Sequence, residues 1–179
     1  MKAAVWYGKK DVRVEDREPK ELKDNEVQVK VSWTGICGTD LHEYLEGPIF
    51  ISTDKPDPLL GQKALVTIGH EFSGIVENVG KDVTRFKKGD RVAVNPTVSK
   101  REKEENIDLY DGYSFIGLGS DGGFAEFTNA PETNVYHLPD NVSAREGALV
   151  EPTGRCSSSS KRRRIIIWRY CSSCLLYTS

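Results

Sequence analysis

Short stretches of alternating apolar and polar residues dominate the first 150 residues of the chain. The clearest begins at Val27, where every second residue through Trp33 is apolar, a period that places these side chains on one face of a β-strand. Similar short segments, separated by turns that contain Gly, Pro or Asp, occur at 2–6, 12–14, 74–79, 90–94, 123–128 and 135–138. This pattern predicts a mainly β fold, a barrel or a sandwich, with few helices.

Helical patterns are sparse. Residues 39–45 are one candidate, and a second helix is predicted to begin at Ser143, which forms a capping-box pattern with Glu146 ahead of an apolar stretch. Pro152 is expected to interfere with its continuation. Residues 100–112 are polar and highly charged, which favours a solvated excursion between strands.

A glycine-rich segment at 117–122 has the spacing of the dinucleotide fingerprint G-x-G-x-x-G, and Asp140 lies near the distance expected for a ribose-binding acid. In that fingerprint the last glycine opens a helix whose N-terminus receives a pyrophosphate. Here Gly122 leads into the strand-like segment 123–128. We therefore interpret the segment as a turn between strands.

The charge distribution divides the chain in two. The 179 residues hold 25 Lys+Arg against 27 Asp+Glu, but six of the basic residues and none of the acids lie in 154–179. The first 153 residues therefore carry a net charge of −8, which argues against nucleic acid as a partner, since each phosphate contact needs its own Lys or Arg. The longest apolar run among them has five residues, against the roughly 20 of a membrane span. With no signal peptide recognised, we expect a cytoplasmic protein without a membrane partner.

Residues 154–179 form a basic, Ser-rich tail with three cysteines. The basic block 161–164 is compatible with nuclear localisation or an anionic partner, and Cys171 and Cys174 with a redox or half-zinc site. A redox pair needs a strand-to-helix context, and a structural zinc needs a second ligand pair that the sequence lacks. We predict that the tail is unrelated to the fold of residues 1–153 and arose by truncation or a reading-frame artefact.

Candidate chemistry centres on Cys37, the sole cysteine of the first 153 residues. Thiolate, imidazole and carboxylate are the usual zinc ligands, and a catalytic zinc takes three protein ligands. His70 is the best partner histidine, and the third ligand could be Glu71, Glu151 or Asp40, because ligands need only converge in space. The alternative interpretation makes Cys37 a small buried apolar residue and His70 a structural histidine.

Three motifs occur in order along the chain: GICGTDLH at 35–42, GHEFSGIVENVG at 69–80 and FKKGDRV at 86–92. Together they resemble the medium-chain zinc-dependent alcohol and polyol dehydrogenases. The resemblance covers residues 1–153 and implies the family's N-terminal GroES-like catalytic domain, a partly open β-barrel with short helices. Segments 42–51 and 147–152 are most similar to the butanediol dehydrogenase branch, with sorbitol and threonine dehydrogenases as neighbouring branches.

The resemblance implies a set of metal ligands. Cys37 and His70 would bind a catalytic zinc, and Glu151 would occupy the third-ligand position, which holds glutamate in the polyol branch. Glu71 would be the carboxylate beside the metal that can exchange with water or substrate.

The resemblance also implies roles for three residues that follow Cys37. Asp40 would support His70 and fix its tautomer. Thr39 would take the hydroxyl proton of a small alcohol or vicinal diol and pass it to His42 and solvent. In the full-length family the hydride goes to NAD(P), and the relatives are homo-oligomers.

Two departures from the family change these expectations. Many relatives hold a structural zinc with four cysteines in the lobe that corresponds to 95–118, which has no cysteine here, so we expect one metal per chain. Relatives continue into a Rossmann coenzyme domain, which is absent from this chain. We therefore expect a fragment that does not bind NAD(P) and is inactive alone. The alternatives are a zinc-free GroES-like binding or assembly module, and a thiol enzyme with His70 as the base of Cys37.

Overall fold

The computed structural model describes residues 1–99 and 112–159, the last five of them as backbone only, and strands are its main regular element. The predicted polar excursion lies outside the described residues except for Gly112. The basic block at 161–164, Cys171 and Cys174 also lie outside them, and Cys156 is described only as backbone. The strands are β1 Lys2–Gly8, β2 Asp11–Asp16, β3 Glu26–Gly35, β4 Val66–Thr67, β5 Glu71–Val79, β6 Arg91–Val94, β7 Thr97–Ser99, β8 Tyr113–Phe115, β9 Phe127–Pro131 and β10 Val135–His137. The helices are α1 Gly38–Glu46, α2 Ala144–Gly147 and α3 Val150–Ser159, with a 3₁₀ helix at Glu132–Asn134.

The main sheet has five strands in the order β10-β6-β5-β3-β9, paired antiparallel. It curls into a half-barrel around a core that includes Val27, Val29, Phe72 and Val76. A smaller sheet, β2-β1-β4, and the hairpin β7-β8 complete the described strands. The predicted mainly β, GroES-like half-barrel is confirmed.

Strand β3 departs in part from the predicted alternation of buried and exposed side chains. Val27 and Val29 are fully buried as predicted, but Gln28 between them is buried as well. Its amide accepts from Asn78 Nδ2 at 2.7 Å and donates to Asn129 Oδ1 at 3.3 Å, a ladder across three strands. The outer face of this strand is therefore polar and buried at Gln28, whereas Lys30 and Ser32 on the same face are exposed.

The predicted helices form with one difference. Ser143 and Glu146 make the predicted capping box, with Ser143 N donating to Glu146 Oε2 at 2.8 Å. Pro152 does not prevent a helix, because α2 ends at Gly147 and α3 starts afresh at Val150. Proline is tolerated in a first helical turn, where its missing N–H has no partner to lose. Within the described ranges, no helix is both long and apolar enough to cross a membrane.

The glycine-rich segment is a turn, as predicted. Gly122 N donates to Thr67 O at 2.8 Å, and the next regular element after Gly122 is a strand rather than a helix. The strand predicted at 123–128 starts later in the structure, where β9 begins at Phe127. The residues before it join the loop ahead of β5 instead, with Gly123 N donating to Gly69 O at 2.7 Å.

Candidate metal centre

Two strand ends bring the candidate ligands together. Strands β3 and β5 pair antiparallel, and Gly35, the last residue of β3, lies opposite Glu71, the first of β5. Cys37 follows the end of β3, and His70 precedes the start of β5. Because an antiparallel pair sets the end of one strand beside the start of the next, residues distant in sequence share one corner of the sheet.

The ligand atoms of Cys37, His70 and Glu71 all lie within 4.8 Å of one another. Zinc bonds to sulfur, nitrogen and oxygen measure about 2.0 to 2.3 Å, so two ligands on one ion are separated by at most about 4.6 Å. Small side-chain adjustments would bring all three donors onto a single cation. His70 and Glu71 are buried, and Cys37 is half-buried.

An unpartnered carboxylate oxygen at this corner favours a cation. Oε2 of Glu71 is buried and makes no hydrogen bond with any described residue, whereas Nδ1 of His70 and Oδ1 of Asp40 face each other at 3.4 Å. Buried polar atoms are nearly always paired, and a lone buried carboxylate oxygen costs free energy. A metal ion held by Cys37, His70 and Glu71 would give that oxygen its partner, so the residues present fit zinc.

Asp40 contacts both Cys37 and His70. Its Oδ2 accepts a hydrogen bond from the Cys37 backbone N–H at 2.9 Å, which also starts helix α1 in the manner of a capping box. Its Oδ1 lies 3.4 Å from Nδ1 of His70. With Nδ1 facing Asp40, Nε2 is the nitrogen of His70 that is available to a metal, the arrangement common in zinc sites.

The electrostatics of the two buried ligands are strongly coupled. Burial lowers the pKa of His70, but contacts with Asp40 and Cys37 outweigh it and raise the value to about 10. Burial raises the pKa of Glu71 to about 7; the nearby His70 opposes this rise, and the charge of Glu151 adds to it. In the metal-free protein, a proton therefore supplies part of the positive charge that a cation would bring.

The remaining predicted residues lie around this group. Thr39 Oγ1 is 3.7 Å from Cys37 Sγ, and the side chain is half-buried. His42 is exposed, one helical turn further along α1. Glu151, in the first turn of α3, is not part of the three-residue group, but it is near enough to influence Glu71. The choice between Glu71 and Glu151 as the third ligand stays a prediction.

Two glycines have roles at the site that the sequence analysis did not predict. A Cβ on Gly35 would clash with the carboxylate of Glu71. A Cβ on Gly117 would clash with the carbonyl of Gly69, just before His70, and φ at Gly117 is +96°. The close approach at Gly117 holds the loop that leads into His70. Spacing gave no signal for either role, because both depend on contacts across the fold.

Glu43 was also missed. It lies in the middle of α1 with no exposed surface, although it is charged. No local pattern separates it from Glu46 on the same helix, which is exposed.

The fold and the site together define a β domain with a candidate metal centre at the meeting point of two strands. Residues 23–140 match the family of the alcohol dehydrogenase GroES-like domain. The chain belongs to this family, as the sequence motifs predicted.

Similar proteins include dehydrogenases of known structure. The chain is 48% identical over 154 residues to (R,R)-butanediol dehydrogenase of Bacillus subtilis (strain 168), an alignment that covers 86% of this chain and 44% of that protein. The crystal structure of 2R,3R-butanediol dehydrogenase from Bacillus subtilis matches with a TM-score of 0.81 and 47% identity, over 85% of this chain and 44% of that one.

A dehydrogenase from Sinorhizobium meliloti 1021, solved bound to NADP, matches with a TM-score of 0.74 and 31% identity, over 87% of this chain and 43% of that one. The chain thus spans less than half the length of the relatives that it matches.

Proposed function

We propose that residues 1–153 form the catalytic zinc domain of an NAD(P)-dependent dehydrogenase that oxidises a secondary alcohol or vicinal diol, of the butanediol dehydrogenase type. The observation that carries the proposal is the convergence of Cys37, His70 and Glu71 within 4.8 Å, from two strand ends that are far apart in sequence. The similarity to (R,R)-butanediol dehydrogenase supports the diol as substrate.

The metal would be held by Cys37, His70 and a carboxylate from Glu151 or Glu71. Zinc bound there acts as a Lewis acid that makes the hydroxyl group of a nearby alcohol easier to deprotonate. Asp40 keeps His70 in the tautomer that leaves Nε2 free, by facing its Nδ1. The half-buried position of Cys37 leaves one side of the group open to a small molecule.

Thr39 is the proposed acceptor of the substrate proton. Its hydroxyl lies at the rim of the group, beside Cys37 Sγ, where it can accept a hydrogen bond from an alcohol. His42 follows one turn later at the surface, where its imidazole can pass a proton to water. The order of these residues along α1 supports proton transfer from the site outward.

Hydride transfer needs a coenzyme domain, and this chain aligns with less than half of each relative. We propose that NAD(P) is bound by that other part of a complete enzyme. The fragment alone would then bind metal without turning over a diol.

Metal analysis tests the zinc site directly. We expect one zinc per chain by elemental analysis and titration calorimetry, with binding lost in Cys37→Ser and in His70→Gln. Glu71→Ala and Glu151→Ala decide the third ligand, which is the residue whose loss weakens binding more. Tight one-to-one binding unaffected by Glu151→Ala would remove Glu151 from the ligand set. Absence of zinc from material purified without chelators would favour a zinc-free GroES-like binding module.

A chimera tests the substrate class. Residues 1–153 joined to the coenzyme half of the Bacillus subtilis enzyme should reduce NAD(P) in the presence of 2,3-butanediol. Thr39→Val should lower kcat by at least about 100-fold, the usual contribution of a positioned proton acceptor. Thr39→Ser should restore most of the rate, and Thr53→Val, at an exposed threonine, is the matched control. A Thr39→Val chimera of undiminished kcat would contradict the role of Thr39.

A further inference from the structure

Helix α1 is docked on the domain by carboxylates rather than by apolar side chains. Its buried residues are Asp40 and Glu43, one turn apart on the same face. Leu41, Tyr44 and Leu45 are 39%, 37% and 46% exposed. A surface helix normally turns an apolar stripe inward, and its burial sets the position of the helix. Here each of these apolar side chains is more than a third exposed while both carboxylates are buried, so polar contacts contribute strongly to the position of α1.

Glu43 makes a dense set of such contacts. Its carboxylate accepts hydrogen bonds from the backbone N–H groups of Ile49 at 3.1 Å, Ile51 at 3.1 Å and Phe50 between them. Its backbone carbonyl accepts from Trp6 Nε1 at 3.0 Å. Glu43 therefore joins three parts of the domain: helix α1, the loop that follows it, and the core of the smaller sheet, to which Trp6 belongs.

The N-terminal end of α1 carries the candidate metal-site residues. Cys37 caps α1, and Thr39 and Asp40 lie in its first turn. A helix of nine residues moves as a rigid body, so a tilt at Glu43 is transmitted to Cys37 and Thr39. Near the C-terminal end of α1, Lys10 N donates to Tyr44 O at 2.5 Å, a contact that restrains the helix but not the loop at 49–51.

We infer that Glu43 is a positioning residue for the metal centre: by tying α1 to the loop at 49–51 and to Trp6, it fixes Cys37 and Thr39 against His70. This inference rests on the proposed zinc function. Glu43 does not touch the metal group, and it acts only through the helix. Outer contacts that orient metal ligands typically contribute 10- to 100-fold to metal affinity, which is the effect expected of Glu43.

Cobalt binding by the full chain provides the test. Co²⁺ reports on the thiolate of Cys37 through a sulfur-to-metal charge-transfer band. Glu43→Gln keeps the shape of the side chain but sets an amide N–H₂ against backbone N–H donors. We expect its Co²⁺ affinity to fall at least 10-fold, with a shifted band. Glu46→Gln, on the exposed side of the same helix, is the matched control and should leave both unchanged.

Gly47→Ala is an independent second variant. A Cβ at Gly47 would clash with the backbone carbonyl and the carboxylate of Glu43, so it disturbs the same contacts while the carboxylate remains. It should lower Co²⁺ affinity by a similar factor. If Glu43→Gln does not fold, Gly47→Ala provides the test in its place.

The outcomes separate the two proposals. Variants that lose thermal stability but keep the Co²⁺ affinity and the band of the unaltered chain would show that Glu43 is only structural, and would overturn the inference. A chain that binds Co²⁺ equally well after Cys37→Ser would instead overturn the proposed metal centre. Weakened Co²⁺ binding in both variants, with Glu46→Gln unchanged, supports the inference.

Discussion

The imidazole of His70 faces the buried carboxylate of Asp40, with Nδ1 and Oδ1 3.4 Å apart. The other oxygen of Asp40 accepts the backbone N–H of Cys37 at 2.9 Å. The side chain of Asp40, which is 2% exposed, therefore orients both Cys37, the N-cap residue of α1, and His70, which precedes β5. We therefore expect the candidate metal centre to depend on Asp40, although Asp40 is not itself expected to bind the metal.

Replacement of Asp40 by Asn should weaken zinc binding by 10- to 100-fold. The amide keeps one acceptor for Cys37 N but cannot hold the charge that favours Nδ1–H of His70. Competition titration with a chromogenic chelator measures the affinity. Asp54→Asn, at an exposed aspartate, is the control. An Asp40→Asn protein with full affinity would show that His70 is oriented by other contacts.

The metal-free chain should lose stability as the pH rises. The pKa of His70 is raised from 6.5 to about 10, because contacts with Asp40 and Cys37 outweigh burial. A raised folded-state pKa stabilises the fold fully below pH 6.5, and this contribution is lost as the pH rises through about 10. Glu71, whose pKa is raised from 4.5 to about 7, acts in the same direction at lower pH.

Urea unfolding of chelator-treated protein between pH 6 and about 10 measures this slope. His70→Gln should flatten it, whereas His42→Gln, at an exposed histidine, should not. Zinc affinity should change in the opposite sense and increase with pH, because a metal displaces protons from its ligands. A metal-free chain whose stability increases over this range would contradict the charge state assigned to His70.

Gly35→Ala should disturb Glu71. The added Cβ clashes with the Glu71 carboxylate, and overpacking of this kind costs about 1 to 3 kcal/mol of unfolding free energy. Thermal unfolding measures the stability, and zinc titration shows whether the displaced carboxylate was a ligand. Gly38→Ala is the control, because a Cβ there meets nothing within 4 Å. Equal stability of the two variants would contradict the tight fit between Gly35 and Glu71.

Asp121→Asn should destabilise the glycine-rich turn. Asp121 Oδ1 accepts from Thr67 N at 2.8 Å and from Gln62 Nε2 at 2.8 Å, and Lys20 Nζ lies 2.7 Å from Oδ2. Burial alone would raise the pKa of Asp121, but these contacts lower it below 3.8. A lowered pKa stabilises the fold above pH 3.8, and that contribution is lost as the pH falls through the folded-state value.

At pH 7 we expect Asp121→Asn to cost about 1.5 to 3 kcal/mol, the range for hydrogen bonds to a charged group. The difference from the unaltered chain should shrink in acid. Asp16→Asn removes a solvent-exposed ion pair with Lys2 and should cost far less, since such pairs contribute little. Urea unfolding at both pH values gives the comparison. A deficit of Asp121→Asn that persists in acid would assign its effect to shape rather than charge.

Local patterns predicted much of the architecture. The alternation at Val27 and the capping box at Ser143 are properties of a few neighbouring residues, and both appear in the structure. The strands that were missed, β4, β7 and β8, have two or three residues each, too few to show a period. Strand β9 starts later than predicted because residues 123 and 124 bond to the loop ahead of β5.

The sequence by itself determined the β-rich class, the family motifs and the pairing of Cys37 with His70 as candidate ligands. The family resemblance also implied Asp40 beside His70 and Glu71 beside the metal. Only the tertiary structure decided the contact of Glu71 with Gly35, the hydrogen bond from Cys37 N to Asp40, and the burial of Glu43 beneath the helix. Secondary structure follows from short-range sterics and side-chain period. The position of a carboxylate relative to a metal site follows from the register of β3 and β5, which joins residues about 40 positions apart.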